Sequence, residues 1–124
     1  MFEYGFKVDG QLSAGPQVLK AANVGAQPHE MIMFSSPAPV TKEQIGQLLE
    51  LAATGATPAP QSGLPNPEEF VNAAYVAPLS LGTTAWLATN LQPGHHVLIC
   101  FVPDLESGAP HVVLGMVEVF EITG

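Results

Sequence analysis

The stretches LQPGHHVLICFVPD at residues 91–104 and PHVVLGMV at residues 110–117 decide how this chain is read. In the first, Gln92-Pro93-Gly94 is a turn, and His95 to Val102 is a β run that Pro103 breaks. In the second, His111 stands among apolar neighbours behind Pro110, and Gly115 to Ile122 is a final strand. Cys100, His111 and Met116 supply thiolate, imidazole and thioether, the soft set that suits both oxidation states of copper. A trigonal Cys and two His with a weak axial Met is the donor set of a blue copper site. Each residue also has a plainer reading. Cys100 between Ile99 and Phe101 reads as a small buried hydrophobe. His111 reads as a satisfied core histidine, and Met116 as core of the last strand.

Upstream the pattern is short strands and many turns. Residues 1–8 read as a strand with Phe2, Tyr4 and Phe6 on one face, followed by turns at Gly10 and at Ala14-Gly15-Pro16. Gln17 to Asn23 is a second strand, and Asn23-Val24-Gly25-Ala26 turns the chain. Pro28 to Phe34 is a third strand that places His29, Met31 and Met33 on one face, the two methionines as core. Thr41-Lys42-Glu43-Gln44 is a capping box, and Ile45, Leu48, Leu49 and Ala52 follow at helical spacing until Gly55. This predicts one helix over about 41–53, with a Pro-rich loop at 54–70 behind it.

Strands resume at Val71–Ala77 and Thr83–Leu91. In the latter, Thr84, Trp86 and Ala88 share a face, and Trp86 is read as core. His95 and His96, being adjacent on a strand, point to opposite faces and cannot both join one site; they read as surface or strand residues. Six or seven short strands around one helical insertion predict a two-sheet antiparallel β-sandwich, all-β, in a single domain over 1–124.

Composition bounds the function. Hydrophobic residues make up 47 % of the 124 residues and charged ones 11 %, enough for one core and too little charge for a disordered chain. Gly and Pro number 12 each, without a period. Three lysines and no arginine against eleven acids give a net charge of −8, which argues against nucleic acid and anionic membrane partners. The acidity reads first as solubility, and alternatively as steering toward a basic partner. One cysteine rules out an intramolecular disulfide. No apolar run is long enough to span a bilayer, and the opening Met-Phe-Glu-Tyr lacks the basic and apolar regions of a signal peptide. There is no Gly-rich phosphate loop, no Gly-x-Ser-x-Gly elbow and no Cys-x-x-Cys pair, so an enzyme is not expected.

Residues 91–104 together with Pro110-His111 and Gly115-Met116-Val117 resemble the C-terminal motif of the cupredoxin superfamily. There a strand ends in the copper-binding Cys, and a loop carries a His and a Met spaced as His111 and Met116 are. NVGAQPHEMIMF at residues 23–34 resembles the family's first-ligand motif, a turn leading into a strand that opens with His. The Cys-Phe-Val-Pro-Asp segment is similar to that of an exported bacterial cupredoxin-like branch.

The resemblance implies a Greek-key sandwich and one copper ion. It assigns His29, Cys100 and His111 as the strong ligands, with Met116 axial. It also implies a protein carrying electrons between extracytoplasmic redox partners. The chain is expected to be a monomer, and the apolar neighbours of His111 lead us to expect an imidazole edge emerging at the surface, through which an electron would leave. The chain departs from the family in three places. Ten residues separate Cys100 from His111, a longer loop than in small electron carriers and nearer to copper nitrite reductases. Glu30 stands where those carriers have an Asn that ties two ligand loops, and Phe101 where Thr or Ser is common. Two further functions remain open on the same fold: a copper-free or weakly metal-binding extracytoplasmic module, and a copper delivery or buffering protein.

Overall fold

The computed structural model describes residues 1, 5–8, 12–55 and 63–123. Its elements run β1 (Gly15–Ala22), β2 (His29–Ser36), α1 (Lys42–Ala53), a 3-10 turn (Pro67–Glu69), β3 (Val71–Leu79), β4 (Thr84–Leu91), β5 (Gly94–Ile99), a second 3-10 turn (His111–Leu114) and β6 (Val117–Ile122). Antiparallel β1 and β4 make one sheet; β3-β2-β5-β6, antiparallel throughout, make the other. Phe2 and Tyr4, Gly10, and Pro58 and Pro60 lie outside the described residues, whereas Phe6 is buried in the core.

The central strand β5 explains why its sequence lacks alternation. Leu98 and Cys100 face the interior between the sheets, with Met31, Met33, Ala74, Val76 and Leu91. Val97 and Ile99 face the other way, onto Val40, Ile45 and Leu48 of the α1 region and onto Val117. A strand covered on both faces reads as a continuous apolar run. The helix forms where its cap predicts. Thr41 Oγ1 accepts the Gln44 N–H, and the Gln44 side chain accepts the Thr41 N–H in return. Ile45 and Leu48 are buried and Leu49 half-buried, while Ala52 is exposed. Gly55, at φ +74°, lies in the left-handed region just past the helix end.

Trp86 corrects the sequence expectation: it is 67 % exposed, and Ala85, Leu87 and Leu91 of β4 face inward instead. The reason is the register with β1. Trp86 pairs with Lys20 and Ala88 with Val18, so each pair shares a face. Lys20 keeps its ammonium in water, and Trp86 stands beside it with the Nζ 5.4 Å from its ring centroid. His96 is a second correction. It lies on β5 as a strand residue, but it is only 1 % exposed and stacks on Phe120 at 5.7 Å. Its Nδ1 bonds the Gly94 carbonyl at 3.0 Å, and its Nε2 has no partner among the described residues.

Several strand ends also differ from expectation, two of them beside the site. β5 stops at Ile99, because Pro103 pairs with Pro110 in an isolated bridge that closes the following loop. β6 starts at Val117, because residues 111–114 coil into a 3-10 turn capped by Gly115 at φ +104°, a conformation that favours glycine.

Candidate metal centre

Three chain segments meet at one end of the sandwich. His29 is the first residue of β2, Cys100 directly follows β5, and His111 opens the second 3-10 turn. β2 and β5 are hydrogen-bonded neighbours, with Ile32 opposite Ile99, so the start of one lies beside the end of the other. Between His29 and Met31 the pairing with β3 shifts, with Ala77 and Pro78 opposite the single residue Glu30. His29, Met31 and Met33 all point into the interior, as the period-two reading requires.

The turn before His29 is built by Asn23, which is fully buried. Its Nδ2 donates to the carbonyls of Gln27 and Leu79 at 2.8 and 2.9 Å, and its Oδ1 accepts the Gly25 N–H at 2.9 Å. An Asn bonding the backbone two residues on is the usual chemistry of such a turn. On the other side, the ten-residue loop is ordered by its own backbone. Val112 N–H donates to the Cys100 carbonyl (2.8 Å), His111 N–H to Val102 (2.9 Å) and Asp104 N–H to Ala109 (2.8 Å). These bonds hold His111 against the strand end that carries Cys100. Met116 N–H donates to the His111 carbonyl at 3.0 Å, and Met116 is fully buried in the same apolar cluster as Cys100.

Fold geometry thus brings His29, Cys100 and His111 together across 82 residues of sequence, all three fully buried. Each offers one ligand atom, and these atoms lie within 4.8 Å of one another. His29 Nδ1 is 3.2 Å from His111 Nδ1, and Cys100 Sγ is 3.6 Å from the same nitrogen. Two imidazoles and a thiol converging in a dry site fit one metal ion that accepts nitrogen and soft sulfur donors. Burial pushes the Cys100 thiol up from its ordinary value of 9.0. The N–H groups of Glu30 and Val102 work against that rise, and the Glu30 charge adds to it.

Glu30 makes the tie between ligand segments that the resemblance ascribes to Asn. Its backbone N–H donates to Cys100 Sγ at 3.4 Å, and its Oε1 accepts the Phe101 N–H at 3.1 Å. Oε2 accepts from the Tyr75 hydroxyl at 3.4 Å. His111 differs from expectation: its ring does not emerge at the surface. Val113 and Leu114 beside it are exposed, but His111 is covered by Gln27 and Asp104. Sequence reasoning left Gln27 and Asp104 unassigned. The Pro-Asp pair after Cys100 and the Gln two residues before His29 were the only hints.

No family model and no curated sequence matches the chain. In fold it is similar to a dithionite-reduced auracyanin from the photosynthetic bacterium Roseiflexus castenholzii. The TM-score is 0.56 at 17 % identity, covering 98 % of this chain and 85 % of that one. It is also similar to auracyanin B, with a TM-score of 0.51 at 15 % identity, covering 99 % of this chain and 83 % of that one. Both comparisons span nearly the whole chain and bear out the all-β, two-sheet cupredoxin-like sandwich. Among the described residues no helix is long and apolar enough to cross a membrane.

Proposed function

We propose that this cupredoxin-like chain is a mononuclear blue copper protein that carries electrons between extracytoplasmic redox partners. The observation that supports it most is the convergence of His29, Cys100 and His111, buried, on one small volume. In this reading His29 and His111 would hold the copper through Nδ1 and Cys100 through Sγ, with the Met116 thioether as a further, weaker donor. Copper held there supplies a one-electron Cu(I)/Cu(II) couple. The protein's part is to keep the donors in one arrangement for both states. The Asn23 turn fixes His29, the Glu30 bonds fix Cys100, and the backbone bonds from residues 111–112 to 100–102 fix His111. Complete burial of the three side chains keeps water out of the ligand set.

The net charge of −8 favours a basic partner through long-range attraction. Auracyanin neighbours agree with this reading at the level of fold. Titration with Cu(II), followed by visible absorption and metal analysis, tests it. The expected result is an intense blue colour at one copper per chain, lost in Cys100→Ser. A protein that stays colourless and metal-free through the titration overturns it.

A further inference from the structure

Gln27 occupies a position that the ligand set alone does not explain. Its side chain joins three parts of the site. Gln27 Nε2 donates to Asp104 Oδ1 at 2.8 Å. Gln27 Oε1 accepts the Leu105 N–H at 3.0 Å and lies 3.0 Å from His111 Nε2. An amide can be turned either way about its last bond, so its orientation must be argued from its partners. A backbone N–H only donates, so the atom facing Leu105 is the oxygen. A carboxylate only accepts, so the atom facing Asp104 is the nitrogen. The two constraints agree.

The consequence falls on His111. An amide oxygen only accepts, so the His111 atom that meets it, Nε2, carries the proton. In the neutral ring Nδ1 then keeps its lone pair. That lone pair faces His29 Nδ1 and Cys100 Sγ at 3.2 and 3.6 Å. Asp104 is itself held: Oδ2 accepts the N–H and hydroxyl of Ser107 at 2.8 and 2.9 Å. It is 4 % exposed, and its Oδ1 lies 3.9 Å from His111 Nε2. The long Cys100-to-His111 loop thereby places a carboxylate and a backbone donor that orient one amide.

We propose that Gln27 is the positioning residue of His111. It holds the proton on Nε2 so that Nδ1 is the ligand atom, and Asp104 and Leu105 fix the amide that does so. The tautomer part stands on hydrogen bonding alone; its consequence for copper rests on the function proposed above. A partner of this kind on the outer nitrogen orients the ring and raises its basicity, and losing one typically weakens metal binding by roughly 10- to 100-fold.

The test uses nitrogen-15 histidine NMR on the metal-free protein at mildly alkaline pH, with wild type, Gln27→Leu and Gln27→Glu. Wild type is expected to show a slowly exchanging proton on His111 Nε2. Gln27→Glu keeps an acceptor for the Nε2 proton but sets a second carboxyl against Asp104 Oδ1, so it retains that tautomer with one proton shared between the two carboxyls. Gln27→Leu, of similar volume, loses the slow exchange and populates the Nδ1–H form. A wild-type proton on Nδ1, or an unchanged spectrum in Gln27→Leu, overturns the proposal. Cu(II) affinity is then compared by competition with a chelator. Gln27→Leu is expected to bind roughly 10- to 100-fold more weakly, and binding within twofold of wild type overturns the proposal. A wild-type protein that takes up no copper removes the electron-carrier reading, while the tautomer spectra still decide the role of Gln27.

Discussion

Two substitutions at Glu30 separate hydrogen bonding from charge at the thiol end of the site. Glu30 is only 9 % exposed, and it accepts from Phe101 N–H and Tyr75 Oη through different oxygens. Glu30→Ala removes both acceptors, and the Phe101 N–H next to Cys100 loses its partner. A stranded donor costs about 1–3 kcal/mol. Phe101 is 39 % exposed, so water relieves part of that and a loss of about 1.5 kcal/mol is expected. With a urea dependence of about 1.5 kcal/mol per molar, the unfolding midpoint falls by about 1 M. Glu30→Gln keeps a carbonyl oxygen for the Phe101 N–H and gives up only the charge-assisted part of the bond. It also avoids burying a charge, so its loss stays below about 0.7 kcal/mol. The assay is urea unfolding of the metal-free protein followed by far-ultraviolet circular dichroism. Equal midpoints for the two variants refute the reasoning, because the tie then does not run through the Oε1 bond.

Other perturbations test the fold and the thiol. Met33→Ala opens a cavity in the sandwich interior and lowers stability by about 2–5 kcal/mol. Trp86→Ala removes an exposed ring whose contact with Lys20 is worth about 0.5–1 kcal/mol. Thermal unfolding that ranks Trp86→Ala as the more damaging change contradicts the outward placement of Trp86. The Cys100 thiol titrates above its ordinary value of 9.0 because it is buried. Folding therefore holds the proton that the unfolded chain releases first. That contribution is intact below the unfolded thiol's range and is lost as pH rises toward the folded value. Metal-free wild type is expected to lose stability above about pH 9, and Cys100→Ser to lack that fall; parallel curves for the two contradict the assignment. Since metal ligation needs the thiolate, Cu(II) affinity rises with pH below that range, which competition titrations at several pH values measure.

Much of the site was legible because its signals are local. The capping box at Thr41 and Gln44 marked a helix whose start depends on contacts within one turn. The period-two reading of residues 28–34 set His29 on one face with Met31 and Met33, and that face is buried. Cys100 and His111 belong to one strand-and-loop segment, so the second imidazole is near the thiol already in sequence. What escaped was parity and long-range contact. On β4 both faces are similarly apolar in sequence, with Ala85 and Leu87 against Trp86 and Ala88, and only pairing with β1 shows which faces water. β5 is covered on both sides, so nothing in its sequence told that His96 is buried. Gln27 meets Asp104 across 77 residues and His111 across 84, and no spacing rule announces such contacts. The exposed edge expected of His111 followed from its apolar neighbours. The long loop instead folds Asp104 back beside it, and Gln27 covers the ring.

X-ray absorption at the copper edge, on protein loaded with one equivalent of Cu(II), examines the ligand set itself. A short copper–sulfur distance from one thiolate, together with two imidazole nitrogens, is the predicted first shell, and the sulfur scatterer disappears in Cys100→Ser. A shell of nitrogen and oxygen alone in the wild-type protein would mean that Cys100, His29 and His111 do not share an ion.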